Sequence, residues 1–283
     1  MHYGFVIPNG DVKVVVELAV EAEAAGWDGV FIPDCIAIDT EDYPQMPAYD
    51  PWVALGAIAA RTRRIRMGTM LTPVSRRRPW KLARETATLD YLSNGRLVVP
   101  VGLGALDDAG FGKVGEATDR KTRAELLDEG LDILAGLWTG QPFSYSGKHY
   151  QIQEMTFLPP PVQTPRIPIW VVGAWPRSKS MQRALRWDGL LPNKINDDDS
   201  RGDVTPEDIR AMRDYISEHR TQTTPFDIIM EGRTPGDYPA QASATVRAFV
   251  EAGITWWNEA MWEAPNSPED VCARIRQGPP RID

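Results

Sequence analysis

The segment VVGAWPRSKS, Val171 to Ser180, has the residue types and order of an anion site. An apolar run ends at Gly173, and Pro176-Arg177-Ser178 leads into a helical pattern. The first amides of such a helix lack intrahelical partners and carry partial positive charge. Gly173 and Ala174 admit close backbone approach, and Arg177, Ser178 and Lys179 add donors. The same letters also suit an ordinary strand-to-helix connection with an incidental arginine. A GxGxxG pattern at Gly110, Gly112 and Gly115 is a poorer phosphate candidate. It starts eight residues after Gly102 rather than directly after a strand, so it reads as a flexible loop.

Other chemistry would sit at strand ends. Asp34 and Cys35, Glu231, and Asn258-Glu259 each follow or close an apolar run. Asp34, Glu231 and Glu259 could act as acid and base in a glycosidase-like site, with Trp175, Trp256 or Trp262 as sugar platforms. Carboxylates at strand ends more often cap loops or pair with arginine. Thr69-Met70-Leu71 and Gly102-Leu103-Gly104 end two further runs, and the glycines would let a flat ligand approach the backbone. Arg76-Arg77-Arg78 is the one strongly basic spot, fit for an anionic ligand or for a solvated rim. The three histidines, His2, His149 and His219, are not paired at ligand spacing, so no metal site is expected. There is neither a GxSxG elbow nor a GxxxxGK[ST] loop.

These residues need elements to position them. The strands expected are Tyr3 to Ile7, Gly29 to Pro33, Ile65 to Leu71, Leu97 to Gly102, Ile169 to Gly173, Gly189 to Pro192, Phe226 to Glu231 and Ile254 to Glu259. Between them lie amphipathic segments. The first repeats Val15, Leu18, Ala19, Ala22 and Ala25 at helical spacing behind Asp11 as N-cap. Pro51, Pro79 and Pro206 stand at later helix starts, and Asn94-Gly95 and Gly253 at helix ends.

Strands too apolar to face water on one side imply a parallel sheet covered by helices. Eight strand-helix units match a single (β/α)8 barrel over residues 1–283, and no Gly-rich turn after the first strand supports an open doubly wound sheet. Two segments interrupt the alternation. Residues 139–168 read as an insertion before strand five, a small hairpin with a proline-rich return, and KINDDDSRGDV (residues 194–204) reads as a mobile polar loop. Both are expected to shape the substrate pocket at the barrel mouth.

Composition narrows the partners. The chain has 283 residues, 42% hydrophobic and 25% charged, too apolar for disorder. Its 31 basic and 39 acidic residues give a net charge of −8, against the basic excess of a nucleic-acid binder. No run approaches the roughly 18 apolar residues of a membrane span. Cys35 and Cys272 make no CxxC, which fits a reduced cytoplasmic chain.

The stretch DPWVALGAIAARTRRIRMGTMLTPVSRRRPWKLARETATLDYLSNGRLVVPVGLG resembles the luciferase-like monooxygenase superfamily of flavin enzymes. AEAAGWDGVFIPD, LDEGLDILAGLWTGQPFSYSGKHYQI and PRIPIWVVGAWPR extend the resemblance, from Tyr3 to about Pro192. It implies a barrel that holds FMN, or the related 8-hydroxy-5-deazaflavin coenzyme (F-420), at the carboxyl ends of its strands. The ring would lie against Thr69-Met70-Leu71, where relatives often have a non-proline cis peptide, with Gly102, Leu103 and Gly104 beside it. Gly173, Ala174, Arg177 and Ser178 would take the phosphate. Relatives tend to form homodimers through helices two and three, and a flavin reductase or deazaflavin-reducing enzyme would supply the reduced cofactor.

Two positions depart from the pattern. Many relatives have histidine where this chain has Cys35, and deazaflavin-dependent sugar-phosphate dehydrogenases have glutamate where it has Ala105. Cysteine replaces imidazole poorly as a proton carrier near neutral pH. These departures argue against that dehydrogenase activity and leave Asp34, Cys35 and Glu231 as catalytic candidates. The expectation is an oxidoreductase, a monooxygenase using reduced FMN and oxygen or a hydride-transfer enzyme using the deazaflavin, acting on a small organic substrate. A non-catalytic flavin-binding relative and a barrel hydrolase using Glu231 and Glu259 are the alternatives.

Overall fold

Short aliphatic runs bounded by Gly, Pro and Asp become strands, and the amphipathic stretches between them become helices. The computed structural model describes residues 1–8, 10–37, 47–105, 109–262 and 267–282. Its barrel strands are β1 (His2–Val6), β2 (Gly29–Ile32), β3 (Arg66–Thr69, resumed at Thr72–Pro73), β4 (Val99–Gly102), β5 (Ile169–Trp175), β6 (Gly189–Ile195), β7 (Asp227–Gly232) and β8 (Trp256–Ala260). Neighbouring strands pair in parallel from β3 back through β1, on through β8 and β7, and down to β4. A parallel bridge between Met67 and Leu97 and the pairing of Thr72–Pro73 with β4 join β3 to β4. The expected (β/α)8 barrel is therefore what the chain forms.

The helices are α1 (Val12–Ala24), α2 (Pro51–Arg61), α3 (Pro79–Ser93), α4 (Arg120–Leu137), α5 (Ser178–Leu185), α6 (Pro206–His219), α7 (Pro239–Ala252) and α8 (Pro268–Arg276). Side chains of Asp11, Asp50, Asp119, Thr205 and Ser267 accept first-turn amides, and Asn94 and Gly253 end α3 and α7 in the left-handed region. None of the described helices is long and apolar enough to cross a membrane.

Alternation along the strands separates two apolar layers. Phe31, Trp170 and Trp256 fill the lower barrel interior, with ring centroids 5.2–6.3 Å apart, beside Val6, Met70, Val98, Leu191, Ile229 and Ala260. Gly29, Gly68 and Gly189 make room for them, because an added Cβ would press on Trp256, on the Val98 carbonyl and on Trp170 respectively. The outward faces pack against the helices.

Two segments differ from expectation. The insertion does form a hairpin, Pro142–Ser146 with Gln151–Thr156, but it packs on the outside of the helix layer. The Glu129 carboxylate on α4 accepts the amides of Lys148, His149 and Tyr150, and Tyr150 meets Trp80 edge to face at 6.1 Å. The insertion leaves a helix and enters a strand, so it starts from the end of the barrel opposite the mouth. The polar loop after β6 is more ordered than its composition suggests. β6 runs on to Ile195 and folds back as Arg201–Gly202, paired antiparallel with Ile195 and Lys194, with Asn196 and Asp198 bonded to Ser200 in the turn.

Candidate active site

Asp34 leaves β2 with its side chain buried, and among the described residues its donors are Thr72, Arg76 and Arg77, all beyond the break in β3. The Thr72 hydroxyl donates to Oδ2 at 2.8 Å, and Arg77 donates to both oxygens at 2.8 and 2.9 Å. Arg76 donates to the Asp34 carbonyl at 2.6 Å and to Oδ1 at 3.2 Å. Thr72 also shares a 2.8 Å hydrogen bond with Thr69. This clamp holds the break in β3, where the Met70–Leu71 peptide is cis. Asp34 is thus engaged in positioning the wall formed by Thr69, Met70 and Leu71. Cys35, next along, is half-buried.

Across that wall lies Gly102 at the end of β4. A Cβ there would lie 3.1 Å from Leu71 and from Val172, closer than side chains normally approach, so glycine lets these two side chains pack against the end of β4. Gly104 has φ +78°, which glycine adopts without strain. Arg123 of α4, wholly buried, donates to the carbonyls of Leu103 and Ala105 and lies 3.8 Å over the Phe111 ring. Sequence reasoning missed Arg123. The signal was present, because Arg123 shares its helical stripe with Leu127, Leu131 and Leu134, where an arginine must be buried. The GxGxxG glycines form a single helical turn, Ala109–Gly112, and the turn after it, which fits the loop reading.

At the end of β5 the anion candidates divide. Gly173 turns outward, where a Cβ would strike Leu190 and Met181, so its glycine serves the packing of α5 on the sheet. The Ala174 amide donates to Ser180 Oγ at 2.9 Å, tying the strand end to the first turn of α5. Arg177 and Ser178 are exposed there, and Arg177 pairs with Asp199 at 2.5 Å. A cavity of about 520 Å³ opens beside them, lined by Trp175, Pro176 and residues 194–198.

The other half of the mouth is polar. Register places Glu231 of β7 beside Asn258 of β8; β7 pairs with β6 at Asp227–Gly189 and Ile228–Leu190, and Glu231 and Asn193 each lie four residues beyond the first of these pairs. All three alternate with lumen residues (Leu191, Ile229, Trp256), so all three face inward. Burial pushes the Glu231 carboxyl above its ordinary value. The Trp262 indole N–H, 2.8 Å away, and the charge of Arg201 pull the other way. Glu259 lies one residue beyond Asn258 and faces the opposite way. It is fully buried outside the sheet, accepting from Thr234 N–H at 2.7 Å, the Thr234 hydroxyl at 2.9 Å and the Trp257 indole at 3.1 Å, with Arg274 at 3.3 Å. The hydrolase alternative needed Glu231 and Glu259 in one site, and the sheet separates them. Trp256, one of the suggested sugar platforms, is likewise in the aromatic plug. Among the described residues, no group of three His, Cys, Asp or Glu side chains could hold a metal ion.

The exposed first turn of α5, with Arg177 and Ser178 next to the cavity at Trp175 and Pro176, is where donors for an anionic group are exposed at the mouth.

A family profile described as luciferase-like monooxygenase matches residues 2–273. An F420-dependent glucose-6-phosphate dehydrogenase of Nakamurella multipartita is 30% identical over 225 residues, covering 79% of this chain and 63% of the relative. The chain therefore spans about three fifths of the length of that dehydrogenase. An uncharacterized protein of Mycobacterium tuberculosis is 32% identical over 295 residues, covering 98% of this chain and 97% of its own. Among solved structures, an F420-dependent secondary alcohol dehydrogenase bound to an F420-acetone adduct superposes with a TM-score of 0.76 at 17% identity, over 100% of this chain and 99% of the other. The monooxygenase RslO1 of Streptomyces bottropensis gives 0.75 at 23% identity, over 98% and 97%.

Proposed function

We propose, from the premise that this chain belongs to the luciferase-like monooxygenase family, that it is an oxidoreductase working with FMN or the deazaflavin coenzyme F420 on a small organic substrate. The observation that carries this reading is the cavity of about 520 Å³ at the mouth, lined by Trp175 and Pro176 where β5 leads into the exposed first turn of α5. Met70, Leu71, Gly102, Leu103 and Gly104 would hold the ring, and Ala174, Arg177 and Ser178 the phosphate. When bound, FMN would supply electrons for oxygen chemistry and the deazaflavin would exchange a hydride. Asp34, through Arg76, Arg77 and Thr72, keeps the wall in place. Arg123 holds the loop after β4, and the barrel walls exclude water. The dehydrogenase names among the relatives support the deazaflavin, whereas Ala105 and Cys35 count against glucose 6-phosphate as substrate. An unjoined pair of cysteines suits a reduced, cytoplasmic setting, with a reductase as supplier.

Fluorescence titration with FMN and with the deazaflavin coenzyme, each oxidised and reduced, tests the reading. One cofactor should bind at micromolar level, and Arg177→Ala should weaken it by roughly tenfold, as expected for loss of one charge-assisted phosphate contact. Binding of neither would overturn the reading.

The same reading includes a homodimer. On the neighbouring helices α2 and α3, Val53 is 74% and Leu92 58% exposed, and Trp80 and Tyr91 are exposed as well. Exposed apolar side chains of this kind favour burial against a partner. Light scattering behind size exclusion should show twice the monomer mass, and Leu92→Glu should convert it to monomer. A wild-type protein eluting as monomer at tens of micromolar would refute the dimer.

A further inference from the structure

We propose that Asn193, Glu231 and Asn258 form a subsite that takes the oxygen of an uncharged carbonyl or hydroxyl substrate. The inference rests on the proposed placement of the site in the barrel mouth, and it names the substrate class that site accepts. Glu231 and Asn258 are paired neighbours on β7 and β8, and Asn193 stands on the adjacent β6, four residues past its pairing with β7, as Glu231 does. Asn193 and Glu231 are half-buried, whereas Asn258 is fully buried. Asn258 has neither donor nor acceptor partner for its amide, and the buried Oδ1 of Asn193 has none either. Among the described residues these are the only buried side-chain amide atoms left without partners. A buried polar group without a partner costs about 1–3 kcal/mol, so such a cluster in one wall points to a ligand that completes it.

Space and charge agree with an uncharged ligand. The row is flanked by Gly4 on β1 and Ala174 on β5, and a side chain on Gly4 would run into the Asn258 amide. Among the described residues no cationic side chain lies on the inner faces of β5 to β8, and Lys194 turns outward to Asp208 at 2.9 Å. The charge that reaches the row is that of Arg201, exposed at the rim, and it already acts on the Glu231 carboxyl. An anionic group placed in the row would therefore meet Glu231 as well as that one exposed charge. The Asn amides carry both N–H donors and C=O acceptors, and burial raises the proton affinity of the Glu231 carboxyl beside them, so the row offers donors and acceptors to a carbonyl or an alcohol.

Saturation-transfer NMR on the full chain, with cyclohexanone, cyclohexanol and cyclohexanecarboxylate as probes, tests this. The two neutral probes should bind saturably and the carboxylate should not. Asn193→Leu and Asn258→Leu should each weaken the neutral probes at least tenfold. If Asn258→Leu fails to fold, Asn193→Leu decides. Carboxylate binding as tight as that of the ketone, no binding of either neutral probe, or unchanged affinity in Asn193→Leu would overturn the subsite. Cofactor titration of the same samples separates the two readings. If neither cofactor binds but the neutral probes do, and Asn193→Leu weakens them, the cofactor reading falls and the subsite stands.

Discussion

Asp34→Ala should lower the melting temperature by roughly 10 °C and abolish cofactor binding, the largest functional loss expected from any single change in this chain. The substitution removes a buried carboxylate from Arg76 and Arg77, whose side chains are only 2% and 18% exposed. Breaking a buried pair in this way costs about 3–5 kcal/mol, because both guanidinium groups lose the carboxylate they share. At this chain length each kcal/mol moves the melting point by roughly 2–4 °C. The loss of cofactor binding follows from geometry, since Asp34 fixes Thr72 and the two arginines, and with them the break in β3 at Met70–Leu71. Asp34→Asn discriminates the alternatives. For a positioning group it should also destabilise and loosen cofactor binding, whereas for a proton carrier it would leave both intact and stop turnover. Thermal melts of the two variants, paired with the cofactor titration, separate these outcomes. A melting point within about 1 °C of wild type for Asp34→Ala would defeat the account.

Glu259→Ala should be comparably destabilising while leaving the lumen unchanged. Glu259 braces β8 to Thr234, in the connection after β7, and to Arg274 of α8, and its removal strands three donors and a buried guanidinium. The expected cost is again about 3–5 kcal/mol. Below the melting temperature, cofactor and cyclohexanone affinities should match those of wild type, because the side chain lies on the far side of the sheet from the site. Denaturant unfolding gives the first quantity and NMR titration the second. An unchanged unfolding midpoint together with lost ligand binding would place Glu259 in the site after all.

These two carboxylates show how far residue types alone carry the reading. Both stand at strand ends and both look equally available for acid-base chemistry. The general expectation that such carboxylates pair with arginine holds for each, yet their partners lie far off in the chain: Arg76 and Arg77 for Asp34, Arg274 for Glu259. Arg123 was legible as a buried arginine on an apolar stripe, but its acceptors, the carbonyls of Leu103 and Ala105, belong to a loop that only folding brings to it. Gly173 was expected at the phosphate and instead opens the seam between β5 and α5.

Strand and helix alternation, the capping residues and the family wording were all local features, readable over a few residues because side-chain period and backbone capping are local physics. They were enough to determine the barrel and the kind of ligand it would hold. Which face each polar residue takes was not local. In a parallel sheet a shift of one position turns a side chain from the lumen to the helix layer, and barrel closure and strand register set that position. The tertiary structure alone therefore put Glu231 inside and Glu259 outside, lined up Asn193, Glu231 and Asn258, and sent the insertion to the outer surface, away from the site it was expected to shape.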